Sequence, residues 1–77
     1  MRFYLIFHHT VYIGGGMMAL RTGDYEKAFA DYSKAIRVDT KCAGAYYGRG
    51  CVYRKKGDKV KADEDFARAK ELGYKPQ

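Results

Sequence analysis

One proline and two cysteines occur in 77 residues, and each scarcity removes a class of structure. The proline is Pro76, so nothing in the body of the chain breaks a helix by deleting an amide donor. Two cysteines make no disulfide framework. If Cys42 and Cys51 share a helix, their separation is roughly 13 Å of rise, beyond the reach of an intrachain disulfide. Two unpaired thiols point to a reducing compartment, the cytoplasm. A membrane-spanning run is also missing. Phe3–Phe7 is a continuous apolar run of five residues, and His8-His9 splits it from the mostly apolar Val11–Leu20. Arg2 ahead of that run gives it the look of a signal peptide, but no clean small-residue cleavage site follows.

Catalytic constellations are equally scarce. No serine or cysteine has a histidine in a recognisable arrangement. His8 and His9 are adjacent, so on a helix they diverge by about 100° and do not share a metal. The cysteines have no further ligands at metal-binding spacing. Asp63-Glu64-Asp65, flanked by Lys61 and Arg68, reads as a solvated, salt-bridged face rather than a pair of working carboxylates. The chain is therefore expected to be neither an enzyme nor a cofactor binder.

What is present is apolar residue and charge: 47% hydrophobic and 31% charged, the balance of a folded domain rather than a disordered segment. At 77 residues it makes one small domain with a limited core. Fifteen Lys and Arg against nine Asp and Glu give a net charge of +6, which favours acidic partners. The one dense basic patch is Arg54-Lys55-Lys56 with Lys59 and Lys61. It has no stacking or groove-reading motif beside it.

The chain repeats itself. Gly23-Asp24-Tyr25-Glu26-Lys27-Ala28 returns 34 positions later as Gly57-Asp58-Lys59-Val60-Lys61-Ala62. At the same offset Tyr12 returns as Tyr46, Gly16 as Gly50, Tyr32 as Phe66, Lys34 as Arg68 and Ala35 as Ala69. A fixed period in this range marks a stacked repeat array. Ala28, Phe29, Tyr32, Ala35 and Ile36 recur at three- and four-residue steps, which predicts a helix over 25–38. Further helices are predicted up to Thr22, over 43–55 with contacts at Tyr46, Tyr47, Gly50, Val52 and Tyr53, and over 59–72 with Val60, Ala62, Phe66, Ala69 and Leu72 inward. Gly23, Gly57 and Gly73 stand where left-handed helix ends are needed. Asp24 and Asp58 stand as N-caps without the reciprocal capping box. Gly14-Gly15-Gly16 falls inside the first helix at a cost of roughly 3 kcal/mol, and Met17-Met18 after it excludes a phosphate loop.

These residues resemble the tetratricopeptide repeat family, whose unit is 34 residues in two antiparallel helices. The second copy carries Tyr46-x-x-Arg49-Gly50-x-x-Tyr53, Gly57-Asp58 and Ala62-x-x-x-Phe66-x-x-Ala69. The first carries Tyr12-x-x-Gly15-Gly16-x-x-Ala19, Gly23-Asp24-Tyr25 and Ala28-x-x-x-Tyr32-x-x-Ala35. The first copy departs at Gly15 and Ala19, where the family has a leucine-like residue and an aromatic. The family's proline is missing at Thr40 and displaced to Pro76. The resemblance implies an all-α fold of two helix-turn-helix repeats, four helices stacked as a short right-handed α-solenoid. It implies an irregular or partner-docked segment over 1–9, a first repeat over 10–42 and a second over 43–77.

The function implied is protein–protein interaction, with a peptide or partner helix in a concave groove lined by the first helix of each repeat. Transferred by register, the groove residues are Ile13, Met17, Arg21, Tyr47, Cys51, Arg54 and Lys55, with Thr10, Leu20, Gly44 and Gly48 beside them. They form an apolar surface with a basic end, suited to a partner with an acidic flank. The chaperone-tail binders of the family need polar residues where Ile13, Met17 and Gly48 stand, so that activity is not implied. Two repeats leave apolar stacking faces at both ends, which implies a piece of a longer array or self-association through the ends or through Phe3–Phe7. Exchange of the N-terminal segment between copies is one route to such a homo-oligomer. The rival reading is a basic RNA-associated module using the Arg54–Lys61 patch, and a third is a designed or truncated sequence with no native function.

Overall fold

The computed structural model describes residues 2–74, with side chains from residue 11 onward. Four helices follow one another: α1 (Arg2–Thr22), α2 (Tyr25–Val38), α3 (Ala43–Lys55) and α4 (Lys59–Glu71). α1 packs on α2 and α3 on α4; α2 and α3 join the two hairpins, and α1 also meets α3. This is the short right-handed solenoid of two helix-turn-helix repeats that the period implies.

The turns follow from the residues that punctuate them. At the end of α1, Gly23 takes φ +85°, the left-handed region that a side chain disfavours. Its amide donates to the Leu20 carbonyl, and the Asp24 amide donates to the Ala19 carbonyl. This paired closure satisfies carbonyls that the helix end leaves open. Asp24 then turns the chain into α2, its carboxylate accepting from the Lys27 amide at 3.2 Å. Gly57 (φ +89°) and Asp58 repeat the device between α3 and α4. The α2–α3 turn has no such glycine: the Asp39 carboxylate accepts from the Lys41 amide and its carbonyl from the Cys42 amide.

The core is built mostly from small residues. Ala19, Ala28, Tyr32, Ala35, Cys42, Ala45 and Val52 are buried together, with Tyr12, Ile13, Leu20, Tyr25, Phe29 and Ile36 packed around them. Alanine and glycine at the crossings let helices approach closely, and aromatic rings fill what remains. Phe29 of α2 meets Tyr53 of α3 edge-on, with centroids 5.4 Å apart.

Three expectations are corrected. Residues 2–9 belong to α1, not to an irregular segment. Nothing from Arg2 to Ile13 is a proline or glycine, so the helix extends through them and through the three glycines beyond. The acidic run is not uniformly solvated: Asp63 and Glu64 are exposed, but Asp65 is buried. It faces α3, where Arg49 donates to both its oxygens at 2.8 and 3.0 Å. Arg68 pairs with Glu71 instead. Finally, Val60 is 70% exposed rather than inward.

That last correction alters the reading of the two ends. In α2, Tyr25, Phe29 and Ile36 pack against the core. Their counterparts one period on in α4 are Lys59, Asp63 and Lys70, all exposed. The outer face of α4 is therefore polar apart from Val60 and the small Ala67. At the opposite end α1 exposes Val11, Met17 and Met18. An apolar end face exists at α1 and not at α4. Phe3–Phe7, Thr10 and the His8-His9 pair lie outside the residues with described side chains, and the tail 75–77 lies outside the described residues.

Candidate functional site

The site begins with one ring. Tyr32 rises from α2 between α1 and α3 and is 2% exposed. A Cβ on Gly48 would stand 2.3 Å from two atoms of that ring, and a Cβ on Gly16 would stand 2.9 Å from it on the α1 side. Two glycines thus open the slot that the ring fills. The glycine triplet is not one feature: Gly16 meets Tyr32, Gly15 faces the Asp31 carboxylate, and Gly14 has open space.

Beyond this ring, α1 and α3 diverge around a cavity of about 300 Å³. Ile13, Met17 and Leu20 line it from α1, and Gly44, Tyr47, Gly48 and Cys51 from α3. Four of the seven principal groove residues read from the sequence come together here: Ile13, Met17, Tyr47 and Cys51. Arg21, Arg54 and Lys55 are exposed and do not line it. Arg54 nevertheless stays close to the rim. Its guanidinium lies 5.6 Å from the centre of the Phe66 ring, which lies 5.2 Å from that of Tyr47.

Sequence reasoning missed two lining residues, Tyr32 and Tyr74. Tyr32 reads as core from its helical spacing, and it is core; its far edge is also the base of the cavity. Tyr74 reads as the start of a tail. Gly73 at φ +96° turns the chain, and the Tyr74 amide donates to the Ala69 carbonyl. That turn stacks the Tyr74 ring on Tyr47, centroids 4.5 Å apart and planes 17° apart. A glycine followed by an aromatic at a helix end was the available signal.

Burial pushes the Tyr32 hydroxyl up to about 12, with Cys51 and Tyr74 adding to the effect. The Cys51 thiol is the first cause raising Tyr47, followed by burial and Tyr74, while Arg54 acts in the opposite direction. Both phenols are therefore neutral at pH 7, and no Asp, Glu, Lys or Arg lines the cavity. Among the described residues no group of three His, Cys, Asp or Glu is placed to hold a metal, and no helix is long and apolar enough to cross a membrane.

The basic patch sits at the α3–α4 turn, with Arg54, Lys55, Lys56, Lys59 and Lys61 all exposed. Two of its members lie over rings: Arg54 over Phe66, and Lys61 over Tyr53 at 5.8 Å.

Comparison with known proteins agrees with this architecture. A family model described as "TPR repeat" matches residues 18–57, more than half of the chain, and one described as "Tetratricopeptide repeat" matches residues 43–72. The chain is similar to anaphase-promoting complex subunit 3 of Schizosaccharomyces pombe, 45% identical over 49 residues. Those residues are 64% of this chain and 7% of that relative, so the chain spans a small part of its length. From the 34-residue period, the four stacked helices and these matches, the chain belongs to the tetratricopeptide repeat family.

Proposed function

We propose that this chain is a protein-interaction module that seats an extended peptide or partner helix between α1 and α3. The observation that carries the reading is the cavity itself, an apolar recess walled by Ile13, Met17, Leu20 and Tyr47. Its basic neighbour Arg54, with Lys55 next to it in the chain, favours a partner with an acidic flank. The similarity to a subunit of a multiprotein complex supports a protein partner. A display library of twelve-residue peptides panned on the folded chain tests this. Selected peptides should lose about tenfold or more in affinity on Tyr47→Ala with Arg54→Ala, the scale of an interface hot spot. Unchanged affinity in a variant whose circular dichroism is preserved would reject the groove. The RNA reading separates by salt, since phosphate contacts weaken steeply as salt rises and an apolar recess changes little.

Self-association is a second reading, favoured by the asymmetry of the ends. Val11, Gly14 and Met18 of α1 correspond by period to Ala45, Gly48 and Val52, which are buried in the second repeat. With a polar outer face, α4 does not complement that surface, so copies would meet α1 to α1 rather than head to tail. Sedimentation equilibrium of Met18→Lys tests it. A dimer that this change dissociates supports the reading; a wild-type chain that stays monomeric at high micromolar concentration rejects it.

A further inference from the structure

α1 is apolar on three sides, and residues 11–20 carry no charge. Gly15 and Gly16 face α2, and Ile13, Met17 and Leu20 line the recess. Val11, Gly14 and Met18 point outward and are exposed. A helix apolar all round is ordinarily enclosed. The repeat shows what encloses this third side. Val11, Gly14 and Met18 correspond by period to Ala45, Gly48 and Val52 of α3. Ala45 and Val52 are buried in one cluster with Ala28, Tyr32 and Ala35 of α2. There the Tyr32 ring takes the space of the missing Gly48 side chain, so closely that a Cβ would stand 2.3 Å from it. At Gly14 the same notch is open: nothing lies within 4 Å of such a Cβ.

We propose that the outer face of α1 is a second docking surface, distinct from the recess, and that it takes a partner's amphipathic helix presenting one aromatic ring to Gly14. The partner helix carries the α2 pattern, a Phe or Tyr with a small residue four before it and another three after it. In α2 those flanking residues are Ala28 and Ala35, both fully buried beside Tyr32. Val11 and Met18 are larger than Ala45 and Val52, so the incoming helix is held further from α1 than α2 is from α3. A short side chain does not reach the backbone at Gly14 from there, and an unfilled notch forfeits its contacts; a ring reaches it. A second copy of this chain brings no such ring. Among the residues with described side chains no aromatic is exposed, and each copy carries a net charge of +6. Two copies meeting α1 to α1 leave both notches empty, so the partner helix and self-association compete for one face. Arg21 stands exposed three residues beyond Met18 on the same stripe, where an acidic residue of the partner helix complements it.

The test pans a display library of helices, built on the α2 sequence and randomised at the positions of Ala28, Tyr32 and Ala35, on the full chain. Selected helices should carry Phe or Tyr at the Tyr32 position. Alanine there should weaken binding about tenfold or more, the loss of an aromatic anchor. Gly14→Leu fills the notch and should abolish binding. The new side chain points into open space, so the fold is kept, and circular dichroism checks it. Amide shifts on adding a selected helix should centre on Val11, Gly14 and Met18. Helices selected without a ring, or that bind Gly14→Leu as well as the wild type, would overturn the inference. Shifts confined to Gly44, Tyr47 and Cys51 would overturn it too, because the helix would then sit in the recess and the groove reading would stand. Failure to select any helix would also overturn it, and a chain that then sediments as a dimer would give the face to a second copy.

Discussion

The two repeats place the same backbone 34 residues apart and hold it together differently. In the second, Arg49 of α3 makes a two-pronged ion pair with Asp65 of α4, and the guanidinium lies 5.7 and 6.0 Å from the centres of the Tyr46 and Tyr53 rings. In the first, the counterpart of Arg49 is Gly15, and Asp31 turns instead to Lys27 on its own helix. Tyr53 has Ala19 as its counterpart. The second hairpin is thus clamped across its helices by a charge-assisted, aromatic-flanked pair. The first relies on close contact between α1 and the ring of Tyr32. What the difference teaches is that a repeat is specified by its small residues and turns, while the cross-helix clamp is optional. The unclamped hairpin supplies the ring that forms the base of the groove.

Four experiments break or sharpen that contrast. The largest effect is expected at Gly48. Gly48→Ala drives a methyl into the Tyr32 ring and should destabilise the chain by about 3 kcal/mol, as overpacked cores do. Its counterpart Gly14 faces open space, so Gly14→Ala should stabilise by about 1 kcal/mol through helix propensity alone. Urea melts of the two variants check the opposite signs; equal effects would mean that the glycines serve only the backbone.

Next in size is the clamp. Asp65→Asn leaves Arg49 without its anion in a largely buried place and should cost about 2 kcal/mol, below the range for fully buried pairs because Arg49 keeps some water. Asp31→Asn removes only a surface pair within one helix and should cost under about 0.5 kcal/mol. A clamp transplanted into the first repeat comes third. A Cβ on Gly15 would stand 2.8 Å from an Asp31 oxygen, the free end of a side chain that can shift. Gly15→Arg should therefore recreate the pair and stabilise by about 1–2 kcal/mol, part from propensity and part from the ion pair. A fall in melting temperature would show that α1 and α2 are too close for it.

The smallest effect at neutral pH is the most specific. The folded chain holds the Tyr32 proton up to about 12, against 10.0 for an ordinary tyrosine. The unfolded chain loses that proton first as pH rises, so the folded state binds more protons between these values. Stability should be unaffected below pH 10 and should fall as pH climbs toward 12. Absorbance at alkaline pH should show two of the eight tyrosines, Tyr47 and Tyr32, ionising late, with Tyr32 up at about 12. Tyr32→Phe should remove the step at about 12 and flatten the decline.

The period, the turn glycines and the capping aspartates were legible because they are local. A left-handed helix end needs Gly23 or Gly57 whatever surrounds it, and a carboxylate three residues before an amide caps a helix by itself. These features suffice for four helices and an all-α stack, with boundaries near one residue except at the start of α1, which runs back to Arg2 through the segment read as irregular. By register they also brought Ile13, Met17, Tyr47 and Cys51 to one face. Three matters needed the tertiary structure. Asp65 looks like its neighbours Asp63 and Glu64 in a charged run, and only the packing of α4 on α3 turns it inward to Arg49. Gly14, Gly15 and Gly16 are identical in sequence, and only the helices opposite decide that one is idle, one faces a carboxylate and one receives a ring. Tyr32 and Tyr74 line the cavity because helices far apart in sequence converge there. Local conformation depends on a few neighbouring residues and can be read in order; burial, pairing and the shape of a recess depend on which surfaces meet, and no single segment carries that information.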